Sequence, residues 1–240
     1  MTSQPPQRRK SMHNRIVQEL GTQIVSGRFK PEEKLPLEAT LCEEYQVSRS
    51  VLREATRVLG AKGLVYSKPR VGAVVRPRAK WHLLDPDVLS WLMQSTPHSE
   101  FFNTLAGVRK ILEPEIAAMA ASTASDDDIG VIQAAYERME CAQDHEQLLQ
   151  ADLDFHRAIA EATHNDLLAY MCNMLSLPLR ESINITNRRP DIQALSLPRH
   201  KAILTAIKNR DALGARHASL VQLDDTRVAL DAVMNVLTPL

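Results

Sequence analysis

The chain has 240 residues, equal numbers of basic and acidic side chains at 29 each, and no apolar run near the roughly 18 residues that a membrane span needs. That length allows two modest domains with their own cores, and Cys42, Cys141 and Cys172, lacking Cys-x-x-Cys spacing, indicate neither a disulfide framework nor a zinc knuckle. The zero net charge hides a split, with 16 Lys+Arg against 7 Asp+Glu in residues 1–80 and 13 against 22 in the rest, so a basic module suited to a polyanion is fused to an acidic one.

Residues 1–13, with two prolines and the Arg8-Arg9-Lys10 cluster, read as a disordered basic arm. Being polar and basic they carry no signal-peptide pattern, so a cytoplasmic protein without membrane contact is expected. Ile16, Leu20 and Ile24, with Val17 and Val25, predict a helix ending at Ser26-Gly27. Leu41 and Tyr45 lie one turn apart in a second short helix, broken at Gln46-Val47. Ser48 is then an N-cap, followed by the apolar stripe Val51, Leu52, Ala55, Val58 and Leu59. With that stripe buried, Arg49, Ser50, Arg53 and Arg57 fall largely on the opposite side, near the end of a recognition helix that reaches bases and phosphates. Each Arg there could pair with guanine or neutralise a phosphate, and a merely exposed basic helix is the alternative.

Leu64-Val65-Tyr66 and Ala73-Val74-Val75 predict a β-hairpin whose tip brings Lys68, Arg70 and Gly72 towards a nucleic-acid backbone or minor groove. Residues 76–84 read as a linker docking through Trp81, and Asp85-Pro86 starts a short helix. Helices follow at about 99–122, 126–142, 145–163, 166–187, 191–209 and 212–236, with Ser125 and Asp144 as caps and Pro190 and Asp211 as breaks. The expected fold is therefore mainly α: a winged helix-turn-helix over 14–78, a linker and short helix over 79–98, and an all-helical bundle over 99–236.

In that bundle Asp152 and His156 are four residues apart, so both project from one helix face and could share a cation, with His200 on a later helix. One Asp and two His suit Zn, Ni, Mn or Fe better than Ca or Mg. A helical surface pair is the alternative. Arg109 lies among Leu105, Val108, Ile111 and Leu112, where a cation needs an anionic partner. That partner is Glu113 or Glu115, or the carboxylate of a bound effector. His145, His164 and His217 read as ordinary surface histidines.

The motifs Ile24-Val25-Ser26-Gly27, Lys34-Leu35-Pro36, Val47-Ser48-Arg49, Leu52-Arg53-Glu54-Ala55 and Gly63-Leu64-Val65, followed by Gly72, resemble the winged helix-turn-helix of the GntR family of bacterial transcription regulators. Ala39 stands where the family usually has an Arg. Val108 to Ala117, Asp152-x-x-Phe155-His156, Asn165 and His200-x-x-Ile203-x-x-Ala206-Ile207 are similar to the effector-binding FCD domain of its FadR-type branch. Within that branch the run from Trp81 to Trp91, with LCEEY, is most similar to galactonate-type repressors of sugar-acid catabolism.

The resemblance implies a homodimeric repressor on an inverted-repeat operator, released by a small organic or sugar acid. It also implies an effector contact at Arg109 and a metal at Asp152, His156, His200 and a fourth ligand. The family has a His at that fourth position and this chain has Gln222, a weaker ligand that would lower occupancy. Two further readings stay open. One is a metal-dependent hydrolase, which would lack a positioned general base of the His-Glu-x-x-His kind. The other is a regulator whose pocket works without metal.

Overall fold

The computed structural model describes residues 6–96, 98–186 and 192–237 and divides into two compact units, Met1–Pro97 and His98–Leu240. The fold is mainly α, with eleven helices, one 3-10 turn and a two-stranded sheet among the described residues.

The first unit opens with α1 (Pro6–Val25). Residues 6–13, expected as a disordered arm, are helical. Once Ile16, Leu20 and Ile24 are buried against α3, extending the helix backwards through Gln, Arg and Lys costs far less than nucleating it. Residues 1–5 of the expected arm lie outside the described residues.

The helix-turn-helix pair is α2 (Glu38–Tyr45) and α3 (Arg49–Ala61). Gln46 closes α2 in the left-handed region at φ 53°, its N–H reaching the carbonyls of Cys42 and Glu43. Ser48 caps α3 by accepting the Val51 N–H at 3.4 Å. Leu52, Ala55 and Leu59 are buried, and Val51 and Val58 partly so, which is the face that the apolar spacing predicts.

The wing is β1 (Val65–Lys68) antiparallel to β2 (Gly72–Val75), in register Val65 to Val75 and Lys68 to Gly72. A third segment joins it through Leu35 N–H to Ala73 O and Glu32 N–H to Val75 O, both 2.9 Å. Four residues between Pro31 and Pro36 carry too short a pattern to announce that pairing.

Helix α4 (Pro86–Ser95), capped by Asp85, packs on α1. The buried aromatic anchor is Trp91, 1% exposed, with Nε1 donating to Gln18 Oε1 at 2.6 Å. Trp81, the expected anchor, is only half-buried. Trp91 fits because Gly21 leaves a slot beneath its ring, where a Cβ would stand 2.4 Å from the ring edge. Lys62, just past α3, reaches Asp85 and Asp87 at 2.8 Å each.

The second unit contains α5 (His98–Thr123), α6 (Asp126–Cys141), α7 (His145–Glu161), α8 (Asp166–Met174), α9 (Ser176–Thr186), α10 (Ile192–Lys208) and α11 (Ala212–Leu237). Its core mixes Phe155, Ile132, Met139 and Ile207 with Ala117, Ala120, Ala121 and Ala135, small residues that let helices approach closely. Ser125 and Asp128 form a reciprocal capping box on α6, and Asp144 caps α7.

The single helix expected over 166–187 is two, broken at Leu175. Pro178 has no N–H to continue a ladder from α8, but it is tolerated in the first turn of α9. Residue 187 and the expected break at Pro190 lie outside the described residues. No described helix is long and apolar enough to cross a membrane.

Candidate functional site

On the first unit, α3 and the wing border one groove. Ser48, Arg49, Ser50, Arg53, Arg57, Lys68 and Arg70 are all exposed, and Arg53, Arg57, Arg70 and Arg76 line the groove. The hairpin tip needs left-handed backbone at Arg70, φ 62°, and at Gly72, φ 100°. Only Gly takes the second of these without strain.

The cations are not equivalent. Arg53 forks onto Glu38, with Nε–Oε1 at 2.7 Å and NH2–Oε2 at 3.2 Å. Arg57 forks onto Glu54 at 3.0 and 2.6 Å. Hydrogen bonding to Glu38 raises the Arg53 pKa and bonding to Glu54 raises that of Arg57. Arg49 has no carboxylate partner among the described residues. Sequence reasoning missed Glu38 and Arg76, because fifteen residues separate Glu38 from Arg53 and no local period links them.

In the second unit α7, α10 and α11 bring Asp152, His156, His200 and Gln222 together. Asp152 Oδ1 lies 3.3 Å from His156 Nε2 and 3.6 Å from His200 Nε2. One ligand atom from each of these three residues falls within 4.8 Å of the others. Gln222 Nε2 stands 2.6 Å from His200 Nε2 and 3.5 Å from His156 Nε2. Asp152, His200 and Gln222 are buried. The surface-pair alternative for Asp152 and His156 is thereby set aside, since Asp152 is only 6% exposed.

Burial pushes the Asp152 carboxyl up, but His200 and His156 outweigh it and hold the group well below the usual carboxylate range. Burial likewise pushes His156 down, and the facing Asp152 and Glu113 carboxylates reverse that and raise it. Asp152 Oδ1 and Gln222 Oε1 are buried acceptors without a hydrogen-bond partner of good geometry. Two such oxygens beside two imidazoles are a donor set that a divalent transition metal suits.

Arg109 is buried and forks onto Glu113, with Nε–Oε1 at 2.5 Å and NH2–Oε2 at 3.2 Å. Burial alone would lower the Arg109 pKa and raise that of Glu113. Their mutual attraction outweighs it and shifts each the other way. Of the two carboxylates expected as partners, Glu113 is the one used, while Glu115 pairs with Arg216 at 2.6 Å.

Arg109, Glu113 and His156 line a cavity of about 340 Å³ together with Arg157, Arg180 and Ser219. Arg157, on α7, and Arg180, on α9, escaped the sequence reading, because only the packing of these two helices brings them to one cavity. Cys172 is also on its wall, and burial pushes its thiol up to about 11.

A winged helix-turn-helix joined in one chain to a helical bundle with a charged internal cavity defines a DNA-binding, effector-responsive transcription regulator. The FCD domain family matches residues 104–225 and the bacterial regulatory proteins of the gntR family match residues 12–75. The chain belongs to the FCD branch of the GntR family. It is 36% identical over 212 residues to the galactonate operon transcriptional repressor of Escherichia coli strain K12, covering 88% of this chain and 93% of that one. To the regulator LutR of Bacillus subtilis strain 168 it is 32% identical over 214 residues, covering 86% and 95%.

The solved structure of Lar, which controls expression of the Listeria monocytogenes agr system, aligns with a TM-score of 0.61 at 20% identity, covering 97% of this chain and 99% of that one. That likeness concerns the fold. Family membership removes the hydrolase alternative, since these relatives are regulators and not enzymes.

Proposed function

We propose that this protein is a homodimeric repressor of a sugar-acid catabolic operon. It binds an inverted-repeat operator through Ser48, Arg49, Ser50, Arg53, Arg57, Lys68, Arg70 and Gly72, and releases it when a small organic or sugar acid enters the second unit. Its DNA target makes the cytoplasm its place of work. The observation that carries the effector reading is the cavity itself, whose wall includes Arg109, Arg157, Arg180 and His156 of the Asp/His cluster beside the carboxylates Glu113 and Asp154. Its size and the three arginines on its wall suit a compact polar acid. The galactonate repressor, the relative named above, supports the substrate class.

Asp152, His156 and His200, with Gln222, would hold a divalent transition metal such as Zn, Ni, Mn or Fe. When bound it would supply a Lewis-acid anchor for an acid group. Arg109 would contribute a guanidinium edge not taken by Glu113, and Glu113, 3.7 Å from His156 Nδ1, would orient that imidazole. The effector moves the DNA-competent population only by the difference in its affinity for the two states. Two-fold reading of a palindrome requires a dimer.

A thermal-shift panel of sugar acids and dicarboxylates, with and without divalent metals, followed by operator release with each hit, tests the proposal. A stabilising acid that also releases operator DNA is the expected result. Release by no acid in the panel, or a strictly monomeric protein on operator DNA in light scattering, would remove the corresponding part.

A further inference from the structure

Gln222 is held in a way that an amide alone does not explain. Its NH2 faces two imidazole nitrogens, at 2.6 Å from His200 and 3.5 Å from His156, while its Oε1 is buried without a partner. Asp152 Oδ1, on the same cluster, is orphaned too. His200 Nδ1 lies 2.9 Å from the Ser196 backbone oxygen, which can only accept, so Nδ1 carries a proton, and in the neutral form of the ring Nε2 offers its lone pair to Gln222. A half-turn of the amide would set its oxygen against that lone pair. Such an arrangement is repulsive unless a cation lies between them.

We infer that Gln222 is an exchangeable ligand, its NH2 closing the site when no cation is present and its carbonyl oxygen completing an N2O2 donor set when one is. The inference rests on the metal reading above and adds a selectivity to it. Imidazole nitrogen suits Zn and Ni, whereas carboxylate and carbonyl oxygens suit Mn. With an amide oxygen in the fourth place, the site is tilted towards Mn2+ relative to one carrying a third imidazole. The amide also satisfies His200 in the metal-free protein, so the buried cluster keeps its geometry without a resident ion.

The test uses metal-stripped full-length protein titrated with Mn2+ alone, followed by the electron paramagnetic resonance of free aquo Mn2+, and then with Zn2+ in competition. Gln222→His is treated identically after circular dichroism has established its fold. Wild type should remove one equivalent of Mn2+ from the free signal, and the Zn2+-over-Mn2+ preference should rise on the order of tenfold in Gln222→His. A second readout needs no variant. In 15N-glutamine-labelled wild type, one exchange-protected side-chain NH2 pair should shift and lose protection on adding Zn2+.

If both metals bind, the preference is the same in both proteins and the NH2 pair does not move, Gln222 is no ligand and the inference falls while the metal reading stands. If wild type binds neither ion, both fall. Should Gln222→His fail to fold, the NH2 signal decides.

Discussion

Arg109 and Glu113, one turn apart on α5, form a two-pronged ion pair inside the cavity wall, their side chains only 7% and 16% exposed. Removing one partner strands the other away from water, so Glu113→Ala should lower the unfolding free energy by about 3–5 kcal/mol. The double change Arg109→Met with Glu113→Leu should recover most of that loss. Denaturant titration measures both, and wild-type stability in Glu113→Ala would show the pair to be dispensable. Arg109→Ala should also abolish acid-induced release while operator binding persists.

On the DNA face, Arg49→Ala and Arg53→Ala should each weaken operator binding by roughly tenfold or more if the contact is to a base edge. A phosphate contact would instead give an equal loss on all sequences and a shallower salt dependence. Gel-shift titrations on the operator and on single-base variants separate the two cases. Unchanged affinity in both variants would remove α3 as the reading element.

Gly21→Ala should destabilise the first unit by about 1–3 kcal/mol, because the new methyl meets the Trp91 ring and neither helix can yield cheaply. Combining it with Trp91→Leu, which vacates the space, should cost less than the two single changes together. Thermal unfolding of the three variants gives the comparison. Strict additivity would mean that the two residues do not compete for the same volume.

Lys62 sets an alkaline limit. Burial lowers its pKa, but bonds to Asp85 and Asp87 outweigh burial and raise it above its ordinary value of 10.5. A raised folded pKa contributes stability that is fully present below the unfolded value and is lost as pH rises through the folded one. Wild type should therefore lose stability more steeply than Lys62→Met above about pH 10.5. Parallel pH profiles for the two proteins would rule the contribution out.

The amino-acid pattern alone determined the helical character of both units, the helix-turn-helix from Leu41, Tyr45, the Ser48 cap and the Leu52 stripe, and the wing. These rest on local periods and caps, which act within a turn or two of the chain. Asp152 and His156 were legible as a pair for the same reason.

Other features depend on long-range packing, for which one sequence carries no local signal. The slot above Gly21 exists only when α1 and α4 are side by side, which is why Trp91 and not Trp81 is the buried anchor. Arg109 and Glu113, one turn apart, were legible as a candidate pair, but Glu115 was assigned to Arg216 only once α5 had packed against α11. His200 and Gln222 meet Asp152 only through the packing of three helices, and that packing leaves two buried oxygens without donors. Neither orphan can be read from a residue's identity, because satisfaction of a polar atom is a property of its neighbours in space.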